Sequence, residues 1–181
     1  MNALFLKDLA DKVRRGLGGR VALGKSGGGN SFGYDVVKRL GSDGQPLRGD
    51  RRINEAEADV IRRIFWDYDA GKSPKKIAFE LNAEGIAGPA GREWGFSSML
   101  GSPKRGNGIL NDELYIGRIV WNRQRFIKDA ETAKCVSRLN PRDEWVVQEV
   151  PELRIIEPEG MRPALSEPRS GPRRLPCHRA T

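Results

Sequence analysis

The sequence is nearly devoid of cysteine and histidine. Its 181 residues include only Cys135, Cys177 and His178 of these types. Two cysteines, one of them in a Pro/Arg-rich tail, make neither a disulfide framework nor a zinc site. Such a chain suits a reducing compartment, the cytoplasm. A single histidine in that tail serves neither a catalytic triad nor a metal cluster. No Ser–His–acid set and no carboxylate pair with useful spacing is present, and no cofactor or metal is expected. No apolar run reaches the roughly 18 residues needed to span a bilayer. The start, Met1 to Gly16, mixes acids and bases and lacks the basic start and apolar stretch of a signal peptide. The apolar fraction, 38%, is low. It points to one small core of roughly 80 to 120 residues flanked by looser segments.

Cations, glycine and proline are plentiful. Thirty-two Lys and Arg face 24 Asp and Glu, a formal charge of +8, alongside 22 Gly and 11 Pro. The excess favours polyanions, nucleic acid before anionic membrane, although a charge of this size also serves ordinary solubility.

Met1 to Leu17 reads as a helix, with Leu4, Leu9 and Val13 on one stripe. Lys12, Arg14 and Arg15 crowd its last turn, where cations suit the helix dipole. Gly16, Gly18 and Gly19 are expected to loosen it, and Gly24 to Gly33 to form a flexible linker. Phe32 to Val37 and Pro46 to Ile53, separated by Ser42-Asp43-Gly44-Gln45-Pro46, suggest a small hairpin. Asn54 and Glu57 have capping-box spacing. Val60, Ile61, Ile64, Phe65 and Tyr68 then form a helical apolar stripe closed by Gly71. Ser73 and Pro74 open a second helix, with Ile77, Ala78 and Leu81 inward and Gly85 at its end. Ser97 or Ser98 caps a third, stopped by Pro103. Tyr115 to Ile127 and Glu144 to Val150 are strand candidates with a turn at Asn140 to Asp143, so they are expected to pair. From Pro158 onward no apolar period survives, and the tail is predicted disordered.

Gly19 to Ser26 matches the G-x-x-x-x-G-K-S nucleotide loop. That chemistry needs a buried strand before the loop and a helix opening after it, so that amides and the helix dipole converge on phosphate. Here a helix precedes it and Gly27-Gly28-Gly29 follows, so nucleotide binding is disfavoured. The helical hairpin with a third helix suggests a helix-turn-helix reader instead. Lys75 and Lys76 would meet phosphates, while Arg92, Ser97, Ser98, Lys104 and Arg105 surround the third helix. A solvated basic face on a small bundle accounts for the same pattern. Arg118, Arg123, Arg125 and Lys128 punctuate the strand after Tyr115, either to grip phosphate or to keep an edge strand soluble. Trp94, Tyr115 and Trp121 are expected in the core.

Three segments carry a family resemblance: FLKDLADKVRRGLGGRVALGKSGGGNSFGYDVV, RINEAEADVIRRIFWDYDAGKSPKKIAFELNAEGI and GILNDELYIGRIVWNR. Together they resemble serine site-specific recombinases, from the end of the long catalytic-domain helix into the recombinase domain, across Met1 to about Ile156. The resemblance implies an enzyme class that cuts DNA through a serine in an amino-terminal resolvase-like domain, then exchanges and rejoins strands. It implies that Lys12, Arg14, Arg15 and Arg20 belong to the basic end of the long helix crossing the minor groove. The stretch from Ser97 to Lys104 would be the reading helix.

The fold expected is mainly helical α+β. Residues 1–23 would be the end of the long helix, 24–33 a linker, 34–157 the DNA-binding domain with its three-helix bundle and small β element, and 158–181 a disordered tail. The catalytic domain is not in this sequence, so no nucleophile is assigned and catalysis by the chain alone is not expected. A truncated or frameshifted reading frame would explain both ends. The expected partners are double-stranded DNA and intact recombinase subunits met through the first helix, with no membrane. A non-catalytic regulator occupying recombination sites is the competing reading, and a degraded product without a stable fold is a third.

Overall fold

The computed structural model describes residues 3–42, 44–128 and 134–157. The tail 158–181, predicted disordered, lies outside the described residues. Among those described are four α-helices and four two-stranded antiparallel pairings, an α+β mix.

Helix α1 spans Ala3–Ala22 and runs straight through Gly16, Gly18 and Gly19, contrary to the expected loosening. Its final turns are held by packing. Val21 is fully buried, and a Cβ on Gly18 would already touch the Trp121 ring at 3.5 Å. The helix ends instead at Gly24. The Lys25 N–H reaches the Arg20 carbonyl (3.1 Å) and the Gly24 N–H the Val21 carbonyl (2.8 Å), with Gly24 at φ +73°. This is the Schellman closure, which needs a left-handed residue and therefore favours glycine. The same pair of bonds, with Gly71 and Gly85 in the left-handed position, closes α2 (Glu55–Asp69) and α3 (Pro74–Ala83).

The segment 24–33 is not a loose linker. The Ser26 N–H bonds the Gly49 carbonyl at 2.8 Å, and the Asn30 side chain bonds the Tyr34 carbonyl at 2.6 Å. Next come β1 (Tyr34–Val36), β2 (Arg39–Leu40), β3 (Pro46–Leu47) and β4 (Arg51–Ile53). β1 pairs with β4 and β2 with β3, as one extended hairpin.

Asn54 caps α2 by accepting from the Glu57 N–H (3.4 Å). The Glu57 carboxylate turns to the Gly33 N–H (2.7 Å) rather than closing the reciprocal box, and so ties the hairpin to the helix. Ser73 caps α3 through the Lys76 N–H at 3.2 Å. Arg63–Glu84 (2.5 Å) ties α2 to the end of α3, and Lys72 in the turn between them pairs with Asp67 of α2 (3.0 Å) and Glu80 of α3 (2.8 Å). Trp94 is buried as expected and donates to the Ile86 carbonyl, while the Asn82 amide clasps the Trp94 backbone on both sides. The third helix, α4 (Phe96–Leu100), is only five residues long and is capped at Gly95 rather than at a serine.

Beyond α4, Ile109, Leu110, Leu114 and Tyr115 enter the core on two short 3-10 turns. The long strand expected from Tyr115 to Ile127 is two strands, because Asn122 takes φ +61° between them. β5 (Arg118–Trp121) pairs with β8 (Val146–Glu149), the pairing expected from sequence. β6 (Gln124–Lys128) pairs with β7 (Cys135–Leu139), which was not anticipated.

The core is sealed by two tyrosines. The Tyr34 hydroxyl donates between the carbonyls of Leu153 (2.7 Å) and Leu114 (3.1 Å), and the Tyr115 hydroxyl donates to the Phe32 carbonyl (2.9 Å). The N–H groups of Ile155 and Ile156 both return to the Tyr115 carbonyl.

Tyr34→Phe leaves two buried carbonyls without a side-chain donor and should cost about 1–3 kcal/mol in urea unfolding. Burial, and secondarily the charge of Asp112, holds the pKa of both phenols well above the ordinary value. A folded-state pKa raised above the unfolded one gives stability that is complete below the unfolded pKa and lost as pH rises. The melting temperature should therefore fall once pH passes about 10, and fall less steeply in Tyr34→Phe.

Candidate nucleic-acid interface

An open cleft of about 530 Å³ gathers side chains from distant parts of the chain. Its walls are the turn after α1 (Ser26, Gly27, Gly28, Ser31), Arg51 of β4, the loop carrying Arg105, the acidic pair Asp112 and Glu113, and the β5 side with Arg118 and Arg123. Four guanidinium groups thus face two carboxylates, and the carboxylates are already engaged. Asp112 accepts from the Ser31 hydroxyl (2.7 Å) and the Leu114 N–H (3.1 Å). Glu113 pairs with both Arg118 and Arg123.

Each arginine is held differently. Arg51 donates to Ser26 Oγ (2.7 Å) and the Gly29 carbonyl (2.8 Å), neither of them charged. Burial lowers its pKa, with Asp112 and Tyr34 opposing, and its buried Nε has no partner. Arg123 pairs with Glu113, stacks 4.8 Å from the Trp145 ring centroid and leaves its side chain only 11% exposed. Its Nε also lacks a partner. Arg118 bonds Glu149 (3.0 Å) and Glu113 (3.4 Å); the Glu149 bond is the main cause of its raised pKa. Arg105 is exposed and has no acidic partner among the described residues.

The loop that presents Arg105 is rigidly tied at its base. The Ser102 N–H bonds the Asn107 carbonyl (3.1 Å) and Asn107 Oδ1 (2.8 Å), and the buried Asn111 amide bonds the carbonyls of Leu100 (2.5 Å) and Asn107 (3.1 Å). Gly106 takes φ +62°, and a Cβ there would displace the Arg123 guanidinium, lying 1.0 Å from its Nη1. Lys104 and Arg105 project from the tip, and Arg123 packs under it.

The remaining sequence-chosen residues fall elsewhere. Arg20 shares a smaller hollow with Ser26, Gly28 and Arg51, so Arg51 borders both depressions. Lys12, Arg14 and Arg15 are exposed along α1. Lys75 and Lys76 are exposed in the first turn of α3, with Lys76 3.9 Å from Glu80. Arg92 and Ser97 are exposed around α4, whereas the Ser98 hydroxyl is taken by the Gly95 backbone. The cleft brings together Arg105, Arg118 and Arg123 and none of these others.

Sequence reasoning missed Arg51 and Trp145. Arg51 lies in a run of three cations broken only by Gly49 and Asp50, and nothing local distinguishes the one that turns inward. The G-x-x-x-x-G-K-S match fails as a phosphate cradle. Gly24 closes a helix where a nucleotide loop opens one, so the segment faces the negative end of a dipole. Lys25 is paired with Asp50 at 3.2 Å. No cluster of three or more metal-ligating side chains occurs among the described residues, nor any helix long and apolar enough to cross a membrane.

The family described as Recombinase matches residues 55–161, more than half of the chain. Comparison with curated proteins and with solved structures gives no significant match.

The geometry separates two roles for the cleft arginines. Arg123→Ala strips Glu113 of one partner and uncovers Trp145, and should cost on the order of 2 kcal/mol. Arg105→Ala should change stability by less than about 0.5 kcal/mol. Paired urea titrations of the two variants check the contrast.

Proposed function

The chain belongs to the Recombinase family of serine-recombinase domains, and on that footing we propose that it grips duplex DNA for site-specific recombination while the strand chemistry is supplied by another polypeptide region. The observation that carries the reading is the cleft. Four arginines converge on it from three segments, and its two carboxylates are spent on holding the walls. The exposed guanidinium of Arg105 and the half-exposed one of Arg118 can reach a phosphodiester oxygen, and charge-assisted bonds of this kind are the strong ones.

Around the cleft the contacts sort by chemistry. Lys12, Arg14, Arg15 and Arg20 on α1, with Lys75 and Lys76 at the start of α3, are phosphate contacts that set register. α2, α3 and α4 act as a helix-turn-helix-like unit. The stretch from Ser97 through Lys104 and Arg105 is offered to base edges, and Arg92 flanks it. Arg118 and Arg123 shape the phosphate site from below, each shared between Glu113 and the DNA. No cofactor takes part, and intact recombinase subunits are partners through α1.

The test is fluorescence anisotropy of the purified chain on a labelled duplex over rising salt. Counterion release predicts a straight fall of log K with log salt, about 0.9 per phosphate neutralised. Arg105→Gln should make the slope shallower by about that amount. No complex at about 50 mM salt would overturn the reading. Incubation of the chain alone with duplex should yield no covalent protein–DNA adduct on a denaturing gel.

A further inference from the structure

The β6–β7 pair is built unlike the rest of the fold. It pairs only with itself, and most of its residues are exposed, including Phe126 at 68% and Ile127 at 45%. Its register sets Arg125 directly opposite Arg138. Like charges facing each other across an antiparallel pair destabilise it. Neither arginine has an acidic partner among the described residues, whereas Arg118 and Arg123, a few residues earlier, both do. Glu113 and Glu149 serve that earlier pair, and among the described residues no carboxylate is paired with Arg125 or Arg138.

The two faces of the ribbon differ. Gln124 and Phe126 lie on the face that lines the cleft, and a Ser137 hydroxyl bond to Gln124 (2.7 Å) braces it. Strand alternation puts Arg125, Ile127, Val136 and Arg138 on the opposite face. A thin ribbon therefore has Arg105, Arg118 and Arg123 on one side and Arg125 with Arg138 on the other. The major groove has phosphate backbones on both walls and is wide enough, at about 12 Å, for a two-stranded ribbon.

We propose that the β6–β7 ribbon enters the major groove of duplex DNA as a second contact element, with Arg125 and Arg138 bonding the phosphates of one groove wall while the cleft takes those of the other. The proposal rests on the DNA-binding reading above. It turns the cross-strand repulsion of the free protein into a binding device, because a bound phosphate beside each guanidinium group offsets the repulsion between them.

Two variants test it by salt-dependent anisotropy, with a thermal melt of each free protein. Arg125→Glu places a carboxylate opposite Arg138. The free protein should melt no lower than wild type, and the log K against log salt slope should become shallower by about 1.8, two phosphate contacts' worth. Arg125→Gln with Arg138→Gln removes both charges without reversing one and should give the same change of slope. Wild-type slopes in this double variant overturn the ribbon proposal and leave the DNA-binding reading standing. Failure of the wild-type chain itself to bind overturns the reading on which the ribbon depends.

Discussion

Two buried hydroxyls fix the geometry on which everything else rests. Tyr34, from the first strand, reaches the carbonyls of Leu114 and Leu153, and Tyr115 reaches back to Phe32. Buried carbonyls left without donors are expensive, so these bonds hold three remote segments in one arrangement. The turn bearing Ser26 and Ser31, the acidic pair Asp112 and Glu113, and the β5 side with Arg118 are placed by that arrangement. The cleft is what remains between them. Its shape follows from the core and not from the charges that line it.

On this scaffold arginine is used in two ways. Arg118 and Arg123 are tied to Glu113, and Arg123 lies against an indole, so their charge is largely spent within the molecule. Arg105, Arg125 and Arg138 stand outward with no acidic partner among the described residues. The net charge of +8 understates the difference. What matters for a polyanion is where the unspent cations stand, and besides Lys38, Arg39 and Arg48 on the hairpin, Lys75 on α3 and Arg92, they include those at the loop tip above the cleft, along α1 and on the β6–β7 ribbon.

The helices were largely legible in the sequence. Asn54, Ser73, Gly71 and Gly85 announce their roles by local chemistry, and Trp94 sits in the core as expected. Where the reading failed, the deciding contact was distant. Glycines 16, 18 and 19 look like helix breakers, but Trp121, 103 residues beyond Gly18 in the chain, packs on Gly18 within van der Waals reach. The glycine-rich stretch from Gly24 looks like a linker because composition does not reveal that Gly49 and Arg51 hydrogen-bond to it. The burial of Arg123 gives no sign of itself in the sequence, because Gly106 and Trp145 form a slot for it that no local pattern encodes. The β6–β7 ribbon was hidden by treating Tyr115 to Ile127 as continuous, since only the left-handed Asn122 divides it.

The link from Tyr34 to Leu153 spans 119 residues. A chain emerging from the ribosome can form α2, α3 and their bridging ion pairs early, because those contacts are local. It cannot bond the Tyr34 hydroxyl to Leu153 or seat Ile155 and Ile156 until almost all the described residues have been made. Closing so long a loop is slow relative to local helix formation. The cleft that Arg51 borders therefore takes its final shape at the end of folding, so a nascent chain stalled before Leu153 would present cations without the concave surface that gives them direction.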